Sequence, residues 1–181
     1  MRRRAIIGTS VSITDYDEVV EVVSDAVEGN RQIFICCAPA SSLIFARDDT
    51  QLARAFAAAD VVTPDGMGVV HAARLLGEHL DDRVYGPDLM ALTLEQVDAT
   101  HFLYGGYDDA ALALLRRSLA ERFPAAKVVD AHSPPHRELD AAEIGEIVAR
   151  INASGAEIVW VGIGSPKQEV WMHQLRSRLD A

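Results

Sequence analysis

The chain has 181 residues, 49% hydrophobic and 24% charged, which suits one folded domain with a real core and excludes a disordered chain. Its formal net charge of -10 argues against nucleic acid, and against adhesion to anionic lipid through this segment, since both need clustered Lys and Arg. No apolar run reaches the ~18 residues of a membrane span, and the stretch after Arg2-Arg3-Arg4 is too short for a signal-peptide core, so the cytoplasm is the expected location.

Short apolar runs alternate with segments of helical period. Residues 5–8 predict a first strand. Residues 15–27 predict a helix with Val19, Val22, Val23 and Ala26 as its apolar stripe and Thr14 or Asp15 as its cap. Residues 33–37 predict a strand whose neighbouring Cys36 and Cys37 point to opposite faces, against a disulfide between them and in keeping with a reducing compartment. A helical segment over 41–58 follows, then a strand over 61–63 and helices over 68–76 and 88–97. A strand over 101–104 leads to a helix over 109–122 that Pro124 stops. A strand over 127–129, a helix over 141–152 opened by Asp140 and Glu143, a strand over 158–162 and a helix over 166–179 complete the chain. This alternation predicts an α/β fold of Rossmann-like type: a mainly parallel sheet with helices on both faces, in one domain over residues 1–181. A closing helix with no strand after it is unusual for a doubly wound fold, so a shortened chain is one expectation.

Ligands of open α/β sheets bind beyond the carboxyl ends of the strands. Four segments place Gly and polar residues there: 37–42, 63–68, 104–108 and 162–169. All four should converge on one edge of the sheet. Asp65 has two readings. It is a general base if a substrate hydroxyl comes within hydrogen-bond reach, and a helix N-cap otherwise; Gly66 and Gly68 permit close approach of a ligand to the backbone. In the segment 162–169, Gly162 and Gly164 allow a tight turn and Pro166 suits the first turn of a helix. Free N–H groups there can hold a phosphate, with Lys167 adding charge and Gln168 a donor and an acceptor. The alternative is an ordinary turn with solvated Lys167 and Glu169. Gly105-Gly106 is a simple turn or a wall of a nucleotide pocket. Arg83 and Asp88 bracket Gly86; Arg83 either pairs a diphosphate or makes a surface salt bridge with Asp81, Asp82 or Asp88. A third glycine in register is missing, so this is not the dinucleotide fingerprint, and no Gly-Lys-Ser/Thr P-loop occurs. His132 and His136 are separated by Pro134-Pro135, against a helical metal pair. Trp160 and Trp171 read as core.

Taken together, Ala59-Asp60-Val61-Val62-Thr63-Pro64-Asp65-Gly66-Met67-Gly68, Arg83-Val84-Tyr85-Gly86-Pro87-Asp88-Leu89, Leu103-Tyr104-Gly105-Gly106, Phe123-Pro124 and Val161 to Glu169 with Trp171 resemble the WecG/TagA/CpsF family of bacterial glycosyltransferases (glycosyltransferase family 26). The five pieces occur in order over nearly the whole chain. The resemblance implies transfer of an N-acetylmannosamine-type sugar from a UDP-sugar donor. The implied acceptor is a polyprenyl-diphosphate-linked sugar at the inner face of the cell membrane, in teichoic acid or other cell-surface polysaccharide biosynthesis. Asp65 matches the family's proposed base. Arg83 and Gln168 match residues near the donor diphosphate and nucleotide, and Gly66, Gly86, Asp88, Gly105, Gly106, Gly162, Gly164, Pro166, Lys167 and Glu169 complete the substrate-binding set. No metal and no cofactor is expected, and a homo-oligomer is compatible with the reading. Two departures stand out. Cys37-Ala38-Pro39 replaces the family's Thr-x-Asn, leaving Ser41 or Ser42 as the polar groups nearby. Family members also carry a further strand and a basic, membrane-docking tail, and a core without that tail is expected to be soluble and poorly active on a membrane-bound acceptor. The competing readings are a non-catalytic nucleotide-sugar-binding relative or partner subunit, and a nucleotide-dependent oxidoreductase of the same fold class.

Overall fold

The computed structural model describes all 181 residues, Met1–Ala181. The fold is α/β with parallel strands and helices on both faces. It opens with an antiparallel hairpin, β1 (Arg3–Ile6) and β2 (Thr9–Ser12), followed by helix α1 (Tyr16–Glu28). Strand β3 (Ile35–Pro39) leads to helices α2 (Ala40–Phe45) and α3 (Thr50–Ala58), and strand β4 (Val61–Asp65) to α4 (Met67–Leu75) and α5 (Gly86–Gln96). Strand β5 (Thr100–Gly105), helix α6 (Asp109–Arg122), strand β6 (Lys127–His132), helix α7 (Ala141–Ser154), strand β7 (Ile158–Gly162) and helix α8 (Lys167–Leu175) follow. A short 3₁₀ turn, Arg176–Arg178, comes last.

Two sequence expectations are corrected. Residues 5–8 are not a strand of their own. They span the end of β1 and the hairpin turn, where Ile7 and Gly8 both have positive φ, as the tight turns that match strand twist require. The helical segment 41–58 is two helices. Asp49 accepts from the N–H groups of Gln51 and Leu52, starting α3 afresh. The same chemistry starts α1 at Asp15, α6 at Asp108 and α7 at Asp140, where Glu143 reaches back to complete a capping box.

The parallel strands form two separate ladders. β3 pairs with β4, and β5 lies between β6 and β7. β2 flanks β4, where the Ser12 hydroxyl accepts from the Val62 N–H at 3.2 Å. Side-chain alternation then sorts the layers. Cys36, Ala38 and Val62 face one core with Leu43, Leu52, Phe56, Val69 and Val70 of α2, α3 and α4. Ile35, Cys37 and Val61 face the opposite core with Val19, Val20 and Leu89 of α1 and α5. On β5, Leu103 faces α6 through Leu112 and Leu119. Phe102 and Tyr104 face α7 through Ile147 and Ile151. α8 crosses over to pack on α3. Beyond it, the Gln32 side-chain amide donates to the carbonyls of Arg176, Leu179 and Ala181, and Arg176 pairs with Asp60 at 3.0 Å. No helix is long and apolar enough to cross a membrane.

Candidate functional site

The paired registers bring the strand ends together as the sequence predicts. Pro39 is opposite Asp65, and Gly105 is opposite Gly162. A cleft of about 980 Å³ runs between the β3–β4 ladder and the β5–β6–β7 ladder, and Asp65, Gly86, Gly105, Gly106, Gly162 and Gln168 line it. Of the other predicted residues, Gly66, Arg83, Asp88, Gly164, Pro166 and Lys167 lie around this rim without lining the cleft. Glu169 is buried behind it, with 0% exposure.

Asp65 is the last residue of β4. The helix cap after it is Gly66, at φ 94°, with no side-chain cap bond. The N-cap reading of Asp65 therefore fails: its carboxylate joins none of the hydrogen bonds or ion pairs. Partial burial raises its pKa, Asp88 adds to the rise and Arg83 opposes it. The result is a half-buried carboxylate that holds a proton more tightly than a free aspartate, at the mouth of a cleft.

Arg83 makes no ion pair with Asp81, Asp82 or Asp88. Its guanidinium lies 4.7 Å from the Tyr85 ring centroid, a stacking that guanidinium favours and that leaves its edge donors available. The loop that carries it is organised by a residue the sequence reading missed. The Tyr16 hydroxyl accepts from the Tyr85 N–H at 3.0 Å and donates to Asp88 at 3.3 Å. Tyr16 opens α1, 69 positions before Tyr85, and nothing local distinguishes it from an ordinary helix residue. Gly86 sits on Cys37, whose Sγ is 3.4 Å from where a Gly86 Cβ would stand. Burial pushes the Cys37 thiol up to about 11, so the wall there is neutral.

The turn after β7 is tied into itself. The Gly164 N–H donates to Gln168 Oε1 at 3.2 Å, and Gln168 Nε2 donates to Glu169 Oε1 at 3.2 Å. Pro166 is the cap residue of α8 rather than its first helical residue, and Lys167 is exposed. Ser41 is exposed, and Ser42 is buried with its hydroxyl 3.0 Å from that of Ser165. Ser42 is thus committed to the opposite wall rather than standing in for the missing Thr-x-Asn. Trp171 stacks on Tyr104 at 4.5 Å, and Trp160 donates to His101 at 3.2 Å. Both pack against the core, as the sequence predicts. His132 contacts Arg150 and His136 contacts the Tyr107 carbonyl.

The glycosyl transferase WecG/TagA/CpsF family model matches residues 4–181. The chain belongs to that family. The chain is 27% identical over 156 residues to a Bacillus spizizenii protein named N-acetylglucosaminyldiphosphoundecaprenol N-acetyl-beta-D-mannosaminyltransferase, covering 83% of this chain and 57% of that one. A Staphylococcus aureus protein of the same name is 27% identical over 172 residues, 92% of this chain and 65% of its own length. The chain thus spans less than two thirds of the length of these two relatives.

Proposed function

We propose that the chain is the core domain of a glycosyltransferase that moves an N-acetylmannosamine-type sugar from a UDP donor to a polyprenyl-diphosphate-linked N-acetylglucosamine. The observation that carries this reading is a half-buried, unpartnered Asp65 at the carboxyl rim of a chain whose family match runs from residue 4 to 181. Asp65 takes the proton of the acceptor hydroxyl as that oxygen attacks the anomeric carbon. The bond from this carbon to the donor diphosphate breaks, and UDP leaves with the electron pair. Arg83, free of ion pairs, offers a planar fork to the diphosphate. The amino terminus of α8 contributes a further ~0.3–1 kcal/mol of favourable field at an exposed terminus. Such an acceptor places the working enzyme at the inner face of the cell membrane, held peripherally.

Calorimetry with UDP should give saturable binding. Asp65→Asn should lower turnover on a short-chain lipid-diphosphate acceptor by ~10²–10⁴-fold without changing the melting temperature. Wild-type turnover in that variant would refute the base role, and absence of UDP binding to the parent chain would refute the donor class. One observation favours a non-catalytic relative: Cys37-Ala38-Pro39 offers only a neutral thiol at the strand end. UDP binding with no product from any UDP-sugar would support it.

A further inference from the structure

Glu169 is the only acidic residue in the molecule with 0% exposure. No ion pair reaches it. Its Oε1 accepts from Gln168 Nε2 at 3.2 Å, and Oε2 is buried without a hydrogen-bond partner. Ser165 in turn meets Ser42 on the far side of the cleft, while Gln168 holds the Gly164 N–H. The turn after β7 is thus held at Gly164 by Gln168, which Glu169 orients, and at Ser165 by Ser42 of α2, which follows β3. No ladder hydrogen bond joins those two strands.

We propose that Glu169 is a positioning residue of the donor site: a buried carboxyl group that orients the Gln168 amide and so fixes the turn 162–168, which Ser165 separately ties through Ser42 to the β3–β4 half that carries Asp65. This rests on the glycosyltransferase reading for its functional meaning, but not for its geometry. Burial with no cation nearby favours the neutral form of the Glu169 carboxyl group. The groups facing it agree. On β3 the Cys36 and Cys37 thiols, which point to opposite faces, are both shifted up chiefly by burial. The polar links nearby are made by neutral groups, Ser42 on α2, Ser165 in the turn and Gln168 on α8, and the one ion pair that α8 and the turn after it make is Arg176 with Asp60. Burial raises the Glu169 pKa against the lowering effect of its hydrogen bonds.

The test compares Glu169→Ala, Glu169→Gln and Ser165→Ala in the 181-residue chain, reading hydrogen exchange at the Gly164 amide and UDP affinity by calorimetry. Glu169→Ala should lower Gly164 protection and weaken UDP binding, each by about tenfold, the scale of one lost hydrogen bond. Glu169→Gln, which keeps the shape and the neutral acceptor, should stay within about threefold of the parent, on the same scale. The parent should lose Gly164 protection as pH rises, after correction for intrinsic exchange, and the Gln variant should not. If Glu169→Ala does not fold, the pH comparison of parent and Gln variant decides, together with Ser165→Ala, which should lower protection of the turn by itself. Equal damage from Gln and Ala, or a folded Ala variant with parental protection at Gly164, overturns the proposal. Failure of the parent to bind UDP would sink the glycosyltransferase reading instead, and the exchange measurements would still judge the role of Glu169.

Discussion

Gly105 gives a sharp test of how the rim is built. It ends β5 at φ +137°, opposite Gly162 of β7. A Cβ on Gly105 would stand 2.2 Å from the Gly162 carbonyl oxygen and 2.5 Å from its carbon. Both are backbone atoms, so no side-chain rotation relieves the overlap. Gly105→Ala therefore incurs two costs. A backbone conformation that side chains rarely adopt costs about 1–3 kcal/mol. Pushing the end of β7 aside, like other overpacking, costs about 1–3 kcal/mol more. The sum, roughly 2–6 kcal/mol, is a large part of the ~5–15 kcal/mol that holds a domain together. For a chain of this length each kcal/mol moves the melting temperature by about 2–4 °C, so a fall of at least about 4 °C is expected. Thermal melts and urea titrations of Gly105→Ala and Gly162→Ala measure it. The second variant is the control, because a Cβ on Gly162 meets nothing within 4 Å and its φ is unforced. Its stability should stay within about 1 kcal/mol of the parent. Equal melting temperatures for the two variants would refute this account of the β5–β7 rim.

Asp140→Ala removes the bonds that Asp140 accepts from the N–H groups of Ala142 and Glu143 at 2.8 and 2.9 Å. It should cost ~1 kcal/mol, a drop of about 2–4 °C; an unchanged melt would show that the capping box is idle. Cys36 is buried, and the Cys37 thiol is pushed up to about 11. At pH 8 an alkylating reagent should therefore label the native chain slowly and both thiols quickly in denaturant, with rapid native labelling at Cys37 the contrary result by mass spectrometry. Glu169→Gln should also flatten the stability profile. The folded pKa of Glu169 lies above its ordinary 4.5, so its stabilising effect is complete below that value and fades as pH rises through the raised one. The parent should lose stability relative to the Gln variant over that window in urea titrations, and parallel profiles would argue against a neutral Glu169.

Local sequence reveals the elements of this fold better than their partners. The apolar runs of β3, β5 and β7 and the aspartates before α1, α6 and α7 mark those elements within a few residues. The break between α2 and α3 is also written locally, in Asp49 before Thr50. It is masked because Leu43, Ala46, Leu52 and Phe56 all feed one core and keep the apolar pattern running through the break. The hairpin escapes because its turn uses Ile7, a residue that disfavours positive φ. Within the site, motifs at strand ends identify Asp65, Gly105 and Gly162, because the carboxyl edge of a parallel sheet gathers them whatever the loops do. Tyr16, Ser42 and the buried setting of Glu169 depend on contacts between residues far apart in the chain, and no spacing signals them.

The division of the parallel strands into two ladders has a mechanical consequence. In a continuous sheet, ladder bonds fix neighbouring strands at roughly 4.8 Å, and the rim can widen only by breaking them. Here no ladder bond crosses from β3 to β7. The gap between Asp65 and the Gly162 turn is therefore set by side-chain packing, including α8 on α3. Hydrogen-bond ladders thus tie the strands within each half, while across the cleft the two halves are held by side-chain contacts such as Ser42 with Ser165.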